Sequence, residues 1–269
     1  MQGLSSLHPF TQNLLQNQPN EDQKITAQLQ NLINEMKSGQ EKCIQPYKMI
    51  EQIKRTSSCR FGSGRQEDAQ EFALYLLDRL QEEEIAEQLE MTQSEPRAAR
   101  MKHEDNSTIK KLFYGKFRDT LTCVHCKEKR QKEIDFSCLY VDIPTTQGRI
   151  TLEDSLNHLK VEQVALPCEY CKLGLKAVKE LQVQTYPKCL MVMIKRFDKL
   201  EKNNKMVHYP IQFKGLNLKA VIEHHGRSIA SGHYKAKCWD QTTQRWYVMD
   251  DQFGFKIYYR LYSSRPWDI

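Results

Sequence analysis

The stretch Ser231-Gly232-His233-Tyr234 is followed by Asp250-Asp251 at the end of the next predicted strand. His233 lies at the start of one predicted strand, and the carboxylate pair begins 17 positions later, at the end of the next. In a hairpin of these strands His233 and Asp250 come side by side, which is the orienting half of a nucleophilic triad. A structural histidine and a solvated acidic pair at a turn are the two simpler explanations.

Composition and charge describe a folded chain of 269 residues, with 39% apolar and 28% charged residues, which argues against wholesale disorder. The net charge of +6 is too weak to indicate nucleic acid without a clustered basic patch. No apolar run approaches the roughly 18 residues of a membrane span, and residues 1–6 show no signal-peptide pattern. We therefore expect an intracellular protein of the cytoplasm or nucleus, with no membrane partner.

Four of the nine cysteines form two C-x-x-C pairs, Cys123 with Cys126 and Cys168 with Cys171. Two residues between thiolates let one tight turn direct both sulfur atoms at one ion, so two pairs predict a tetrahedral Zn²⁺ site. Its role is structural, because four thiolates leave no open position for a substrate. Two unrelated buried pairs and a redox C-x-x-C are the alternatives.

Because basic residues surround the first pair, a zinc-ribbon module that binds nucleic acid or protein is another interpretation. The residues concerned are Lys127, Lys129, Arg130 and Lys132. This interpretation ranks last, because it leaves the histidine–carboxylate pair unexplained.

Helical patterns fill the first part of the chain. Asn20, with Gln23 in the capping-box position, predicts the start of a helix that ends at Gly39. Pro46 opens a short helix, and residues 65–89 give the strongest amphipathic pattern. Residues 90–108 are polar without periodicity and predict a mobile loop.

Strand patterns dominate from residue 112, so the fold class predicted is α+β with mostly antiparallel strands. Thr151 and Asp154 cap a short helix among them. The segment 189–197 is nearly continuous apolar and predicts a central strand buried on both faces. The strands predicted are 117–122, 135–143, 178–185 and 189–197.

Asp68 and Glu71 lie together at the start of the 65–89 helix. Carboxylates at a helix N-terminus are favoured by its partial positive charge, which explains both residues without a ligand. A role in binding a basic partner is the alternative.

Several segments together resemble the ubiquitin-specific protease family, the papain-like cysteine deubiquitinases. They follow the family's order and span nearly the whole chain. They are Arg65–Phe72 for the R-Q-x-D-A-x-E-F box, Leu112–Gly115 with the strand into Cys123, Lys188–Phe197 for the R-F strand, and Gly232–Tyr234 with Trp246 and Asp250–Asp251 for the histidine box.

The resemblance implies a fingers–palm–thumb fold with a Cys₄ zinc ribbon in the fingers. It implies that His233 is the general base, that Asp250 orients it and that Asp251 supports it. It implies that Asp68 and Glu71 bind the basic C-terminal tail of ubiquitin or of a ubiquitin-like modifier. Residues 223–232 would form a mobile loop beside that tail.

One departure concerns the family's nucleophile, which lies in an N-x-x-N-T-C box that residues 1–269 do not contain. Cys43 and Cys59 lack the flanking asparagine and the matching position. We expect a single catalytic domain over 1–269, incomplete at both ends, with a helical thumb at 1–111 and strand-rich fingers and palm at 112–269.

The implied reaction is thiol-dependent hydrolysis of ubiquitin peptide and isopeptide bonds. The chain as written is expected to be inactive without an upstream cysteine, which fits a truncated form. A catalytically dead pseudoprotease that binds ubiquitin is the alternative.

Overall fold

The computed structural model describes residues 1–38, 44–58, 60–92, 96–145, 148–157, 161–198, 201–228, 231–251, 253–257 and 267–268. Its contacts group the chain into two compact units. The first holds Met1–Leu112 and Asn217–Arg265, and the second holds Phe113–Leu216 and Pro266–Ile269. The domain boundaries drawn from the sequence stay a prediction.

Eight helices lie in the described residues, and none of them is long and apolar enough to cross a membrane. Their bounds are α1 Gln2–Ser5, α2 His8–Gln16, α3 Lys24–Ser38, α4 Tyr47–Thr56, α5 Ala69–Thr92, α6 Pro96–Asn106, α7 Thr108–Phe113 and α8 Leu152–Asn157. The first unit buries a core from α2 to α5, with Phe10, Ile25, Leu29, Ile33, Met49, Leu76 and Ile85 almost fully enclosed.

The capping box before α3 is confirmed. The Gln23 N–H donates to Asn20 Oδ1 at 3.0 Å, and the Asn20 N–H donates to Gln23 Oε1 at 3.1 Å. The next N–H groups of α3 donate to a side chain of another helix. The Glu83 carboxylate of α5 accepts from the Ile25 N–H at 2.8 Å and from the Thr26 N–H at 2.9 Å. These bonds fix α3 against α5.

The loop predicted at 90–108 is wrong for the described residues, because α5 continues to Thr92 and α6 fills Pro96–Asn106. The sequence of α6 is rich in good helix formers but has no apolar stripe, so periodicity could not reveal it. Polar contacts with α5 hold the segment. Arg100 pairs with Glu82 at 2.6 Å, and Gln81 donates to Ser107 Oγ at 3.0 Å.

The described strands form small, mostly antiparallel sheets. Their bounds are β1 Gly115–Cys123, β2 Lys129–Phe136, β3 Leu139–Asp142, β4 Ile150–Thr151, β5 Val161–Val164, β6 Ala177–Thr185, β7 Val192–Lys195, β8 Phe197–Asp198, β9 Glu201–Lys202, β10 Val207–Tyr209, β11 Gln212–Phe213, β12 Leu216–Asn217, β13 Ala220–Ser228, β14 Ser231–Asp240, β15 Arg245–Asp250, β16 Phe253–Ile257 and β17 Trp267–Asp268. Two four-stranded sheets matter for function: β2-β1-β6-β5 in the second unit and β13-β14-β15-β16 in the first.

Two strand predictions need correction. The segment predicted as one strand at 135–143 is divided between β2 and β3. The segment predicted as a central strand is also short, since β7 covers only Val192–Lys195 and its apolar residues are half-buried. Among the described strands β7 pairs with β3 in parallel. Ile194 of the apolar run packs on the small core of Ile143, Ile150 and Val207. The cap of α8 is confirmed by the bond from Asp154 N to Thr151 Oγ1 at 3.2 Å.

Candidate active site and metal centre

The predicted hairpin is present, and it brings His233 to Asp250. β14 and β15 pair antiparallel, and His233 Nε2 lies 2.5 Å from Asp250 Oδ1. The Asp250 side chain is 21% exposed and that of His233 is 41% exposed. A carboxylate this close fixes the ring orientation and the tautomer of a histidine.

Asp251 stands apart from this contact. Its Oδ2 lies 3.8 Å from His233 Nδ1, and its side chain is 78% exposed. Its backbone φ of +47° places it in the turn that ends β15. Asp250 is therefore the carboxylate that binds the histidine, and the supporting role of Asp251 stays a prediction.

A lysine completes the surroundings of Asp250. Lys235 Nζ lies 2.6 Å from Asp250 Oδ2, on the oxygen that His233 does not use. Lys235 first, and then His233, lower the pKa of the Asp250 carboxyl below its ordinary value. The pair is thus an anionic carboxylate held between two nitrogen donors.

Two tethers hold the histidine strand to the start of α5. Gly232 N–H donates to Gln66 Oε1 at 2.8 Å, and Tyr234 OH donates to Asp68 Oδ2 at 3.1 Å. These bonds lie one residue before and one residue after His233, so the backbone of the histidine is fixed on both sides.

Asp68 caps α5, as the electrostatic explanation predicts. Its Oδ1 accepts the N–H groups of Gln70 at 2.8 Å and Glu71 at 2.9 Å. Burial, and then the neighbouring Asp68 charge, raise the pKa of Tyr234 to about 12, so this phenol stays a donor. One carboxylate therefore starts the helix and holds the histidine strand.

Glu71 points to a different partner. Its carboxylate accepts from the Arg60 guanidinium, and both side chains are at least half exposed. A binding role for Asp68 and Glu71 is untested, but the contact shows that Glu71 accepts a guanidinium here.

The mobile loop expected at 223–232 is wrong for the described residues, since β13 runs to Ser228 and β14 begins at Ser231. The two strands approach closely at Gly232, where an added Cβ would lie 2.0 Å from His224 Nε2. The His224 ring in turn packs on Tyr234 at 5.0 Å between centroids. A side chain at position 232 would therefore displace the His224 ring.

The four predicted ligands meet at one end of the β1–β6 sheet in the second unit. Their Sγ atoms all lie within 4.8 Å of one another, with 4.0 Å from Cys123 to Cys171 and 3.7 Å from Cys126 to Cys168. Tetrahedral Zn–S bonds of about 2.3 Å require sulfur atoms about 3.8 Å apart. The donors therefore fit structural Zn²⁺.

Both knuckles are built in the same way. The residue after each second cysteine, Lys127 or Lys172, has a left-handed φ, and its N–H donates to the carbonyl of the first cysteine. Gly174 then passes so close to the cluster that a Cβ would lie 2.5 Å from Cys123 Sγ. Backbone geometry and the glycine leave space for the four sulfur atoms.

The thiols differ in acidity. Backbone N–H groups, that of Leu173 first, lower the pKa of Cys171 to about 6. The Glu128 N–H lowers the pKa of Cys126, but desolvation and the other three thiols outweigh it and raise this pKa to about 12. Backbone N–H groups thus favour the thiolate of Cys171, the form in which a cysteine binds a metal.

The remaining described cysteines are buried. Cys238 lies on β14 but on the face opposite to His233, and burial raises its pKa to about 12. Cys43 and Cys59, weighed as nucleophiles from the sequence, lie outside the described residues.

With this geometry in place, comparison with known proteins is decisive. The family model named ubiquitin carboxyl-terminal hydrolase matches residues 1–256. The chain belongs to this family.

Three relatives illustrate how far the likeness extends. Ubiquitin carboxyl-terminal hydrolase Usp2 of Drosophila melanogaster is 27% identical over 265 residues, covering 86% of this chain and 28% of that protein. Ubiquitin carboxyl-terminal hydrolase 2 of Gallus gallus is 28% identical, covering 77% of this chain and 68% of that protein. Ubiquitin carboxyl-terminal hydrolase 23 of Arabidopsis thaliana is 32% identical, covering 73% of this chain and 24% of that protein. The chain thus spans about a quarter of the length of the Drosophila and Arabidopsis proteins.

A solved structure shows the same fold. This ubiquitin carboxyl-terminal hydrolase chain superposes on a chain of the SAGA DUB module that contains Ubp8 and is bound to monoubiquitin. The TM-score is 0.72 at 17% identity, and the match covers 95% of this chain and 62% of that chain. The papain-like α+β fold of ubiquitin-specific proteases is therefore confirmed.

Sequence reasoning missed two charged residues of this hydrolase domain, Lys235 beside Asp250 and Arg60 on Glu71. Lys235 follows His233 by two positions on one strand, which places both on one face. That spacing was a usable signal once β14 was predicted. Nothing in the sequence indicates the Arg60 contact.

Proposed function

We propose that this domain belongs to a cysteine-type deubiquitinase, which hydrolyses the bond between the C-terminus of ubiquitin and an amine. The observation that carries the proposal is the His233–Asp250 contact of 2.5 Å within a ubiquitin carboxyl-terminal hydrolase domain. The module to which the fold is similar is bound to monoubiquitin, which supports ubiquitin as the partner.

His233 is the base in this proposal. Asp250 accepts the Nε2 proton, so in the neutral ring Nδ1 carries the lone pair that takes a proton from a thiol. The thiolate attacks the ubiquitin carbonyl, and the imidazolium returns the proton to the leaving amine. Water then hydrolyses the thioester with the same base, and the thiol comes from a cysteine other than those described.

The acidic residues at the start of α5 recognise the basic tail of ubiquitin or of a similar modifier. Glu71 already accepts one guanidinium, from Arg60. Asp68 offers its carboxylate from a fixed position, because the α5 cap and Tyr234 hold it. Arginine side chains of a bound tail would meet both carboxylates through charge-assisted bonds.

We also propose that the protein resides in the cytoplasm or nucleus. None of the described cysteines is in a disulfide, and four of them form the metal cluster. Reducing compartments keep such thiols available.

Ubiquitin carrying a C-terminal electrophile tests the function with the full-length protein. The wild type should be labelled at a cysteine, and His233→Ala should not be labelled. His225→Ala is the matched control, because His225 is the cross-strand neighbour of His233 on β13 and should leave labelling intact. A wild type that is not labelled would overturn the proposal, and one that still binds ubiquitin would then be a pseudoprotease.

A further inference from the structure

Both oxygen atoms of the Asp250 carboxylate are occupied. Oδ1 lies 2.5 Å from His233 Nε2, and Oδ2 lies 2.6 Å from Lys235 Nζ. His233 and Lys235 are two positions apart on β14, so their side chains leave the same face of the strand. Asp250 on β15 thus lies between a base and a cation that come from one neighbouring strand.

Lys235 lies between carboxylates of both neighbouring strands and binds Asp250. Lys235 is directly opposite Glu223 in the β13–β14 register, yet its ammonium lies on Asp250. Glu223 is instead bound by Lys237 at 2.5 Å and lies 3.5 Å from His225. Each of the two lysines therefore has its own carboxylate on this face.

We propose that Lys235 is a positioning residue, which binds Oδ2 of the Asp250 carboxylate and so keeps Oδ1 directed at His233. The lysine touches neither substrate nor a reacting atom and acts only through Asp250. Its meaning for catalysis rests on the proposed function, whereas the contact itself can be measured in any folded form of the chain.

The charges around Asp250 show why the lysine matters. From β14 it faces His233 and Lys235, and along its own strand it is followed by Asp251. From β13 the charged groups on this face are Glu223 and His225. Without Lys235, His233 is the remaining group among the described residues that holds the pKa of Asp250 below its ordinary value.

Lys235 is also the first cause of the lowered pKa of Asp250. A lysine two positions along the strand offers a matched control. Lys235→Met keeps most of the apolar stem and removes the ammonium. Lys237→Met makes the same change on the same face but breaks the pair with Glu223. Lys235→Arg keeps a cation and should restore what Lys235→Met loses.

Carboxyl ¹³C NMR titration of Asp250 is the first test. The Asp250 midpoint should rise in Lys235→Met, should stay near the wild-type value in Lys235→Arg, and should rise less in Lys237→Met than in Lys235→Met. Melting curves establish that each variant is folded. An unchanged Asp250 titration in folded Lys235→Met would overturn the inference.

Hydrolysis by the full-length protein is the second test. In Lys235→Met kcat should fall about two- to fivefold, the range for one partly exposed ion pair. KM should not change, and the acid limb of the kcat/KM profile should move to higher pH. A titration shift without this change would show a merely structural pair and reject the positioning role. If the wild type hydrolyses nothing, the proposed function fails, and the titration still decides whether Lys235 holds Asp250.

Discussion

Replacing Asp68 by alanine should destabilise the protein by about 2 kcal/mol, because this carboxylate makes two separate kinds of bond. Its Oδ1 caps α5 through the N–H groups of Gln70 and Glu71, at 2.8 and 2.9 Å. Its Oδ2 accepts the Tyr234 hydroxyl at 3.1 Å. Loss of an N-cap costs about 1 kcal/mol, and loss of the partly buried hydroxyl bond costs about 0.5–1 kcal/mol more.

Asp68→Asn separates this structural role from the proposed role in binding. Asparagine caps helices as well as aspartate, and its amide can bond the Tyr234 hydroxyl. We therefore expect Asp68→Asn to unfold within about 0.5 kcal/mol of the wild type. Asp68→Asn should nevertheless bind an arginine-containing ubiquitin tail peptide less tightly than the wild type, because the negative charge is gone.

Thermal unfolding followed by circular dichroism measures the first effect. For a domain of this size about 2 kcal/mol corresponds to a fall in Tm of about 4–8 °C. Isothermal calorimetry with the tail peptide measures the second effect. The reasoning would be refuted if Asp68→Asn were destabilised as much as Asp68→Ala, or if Asp68→Ala unfolded like the wild type.

Three further changes test other features. Gly174→Ala would place a Cβ against the cysteine cluster, so metal analysis should find well below the one zinc per chain expected of the wild type; full retention would contradict the packing. Burial raises the pKa of Tyr234 to about 12 from 10.0, so the stability due to the neutral phenol is present below pH 10 and is lost toward pH 12. Tyr234→Phe should not lose this stability between pH 10 and pH 12. An alkaline unfolding curve identical to that of the wild type would contradict the raised pKa of Tyr234. Arg60→Gln frees Glu71 and should tighten tail-peptide binding about two- to fivefold. Arg55→Gln on α4 is the control and should leave this binding unchanged. Weaker binding by Arg60→Gln would show that Arg60 assists binding of the tail.

Signals carried by residues close in sequence were read correctly. Asn20 with Gln23, and Thr151 with Asp154, cap helices because residues three positions apart meet at any helix start. Each C-x-x-C pair likewise specifies its own tight turn. The meeting of the two pairs was predicted from ligand chemistry, which demands four donors.

Signals that depend on tertiary contacts were not readable. The helix α6 has helix-forming residues without an apolar face, and its polar bonds to α5, such as Arg100 with Glu82, have no pattern in sequence. The choice between Asp250 and Asp251 needed the β14–β15 register, which sets the face on which each side chain lies. The partner of Lys235 needed the same register, since Glu223 lies opposite it and Asp250 binds it.

The cysteine cluster also acts on the chain before it is folded. Cys126 and Cys168 are 42 positions apart, so an ion that joins them closes a long loop in the disordered ensemble. By analogy with a covalent cross-link, closing a loop of this length removes about 4 kcal/mol of chain entropy from the unfolded state. Withdrawal of the metal would thus destabilise the strand-rich unit that carries the cluster. The folded fraction of the protein would then depend on the supply of zinc.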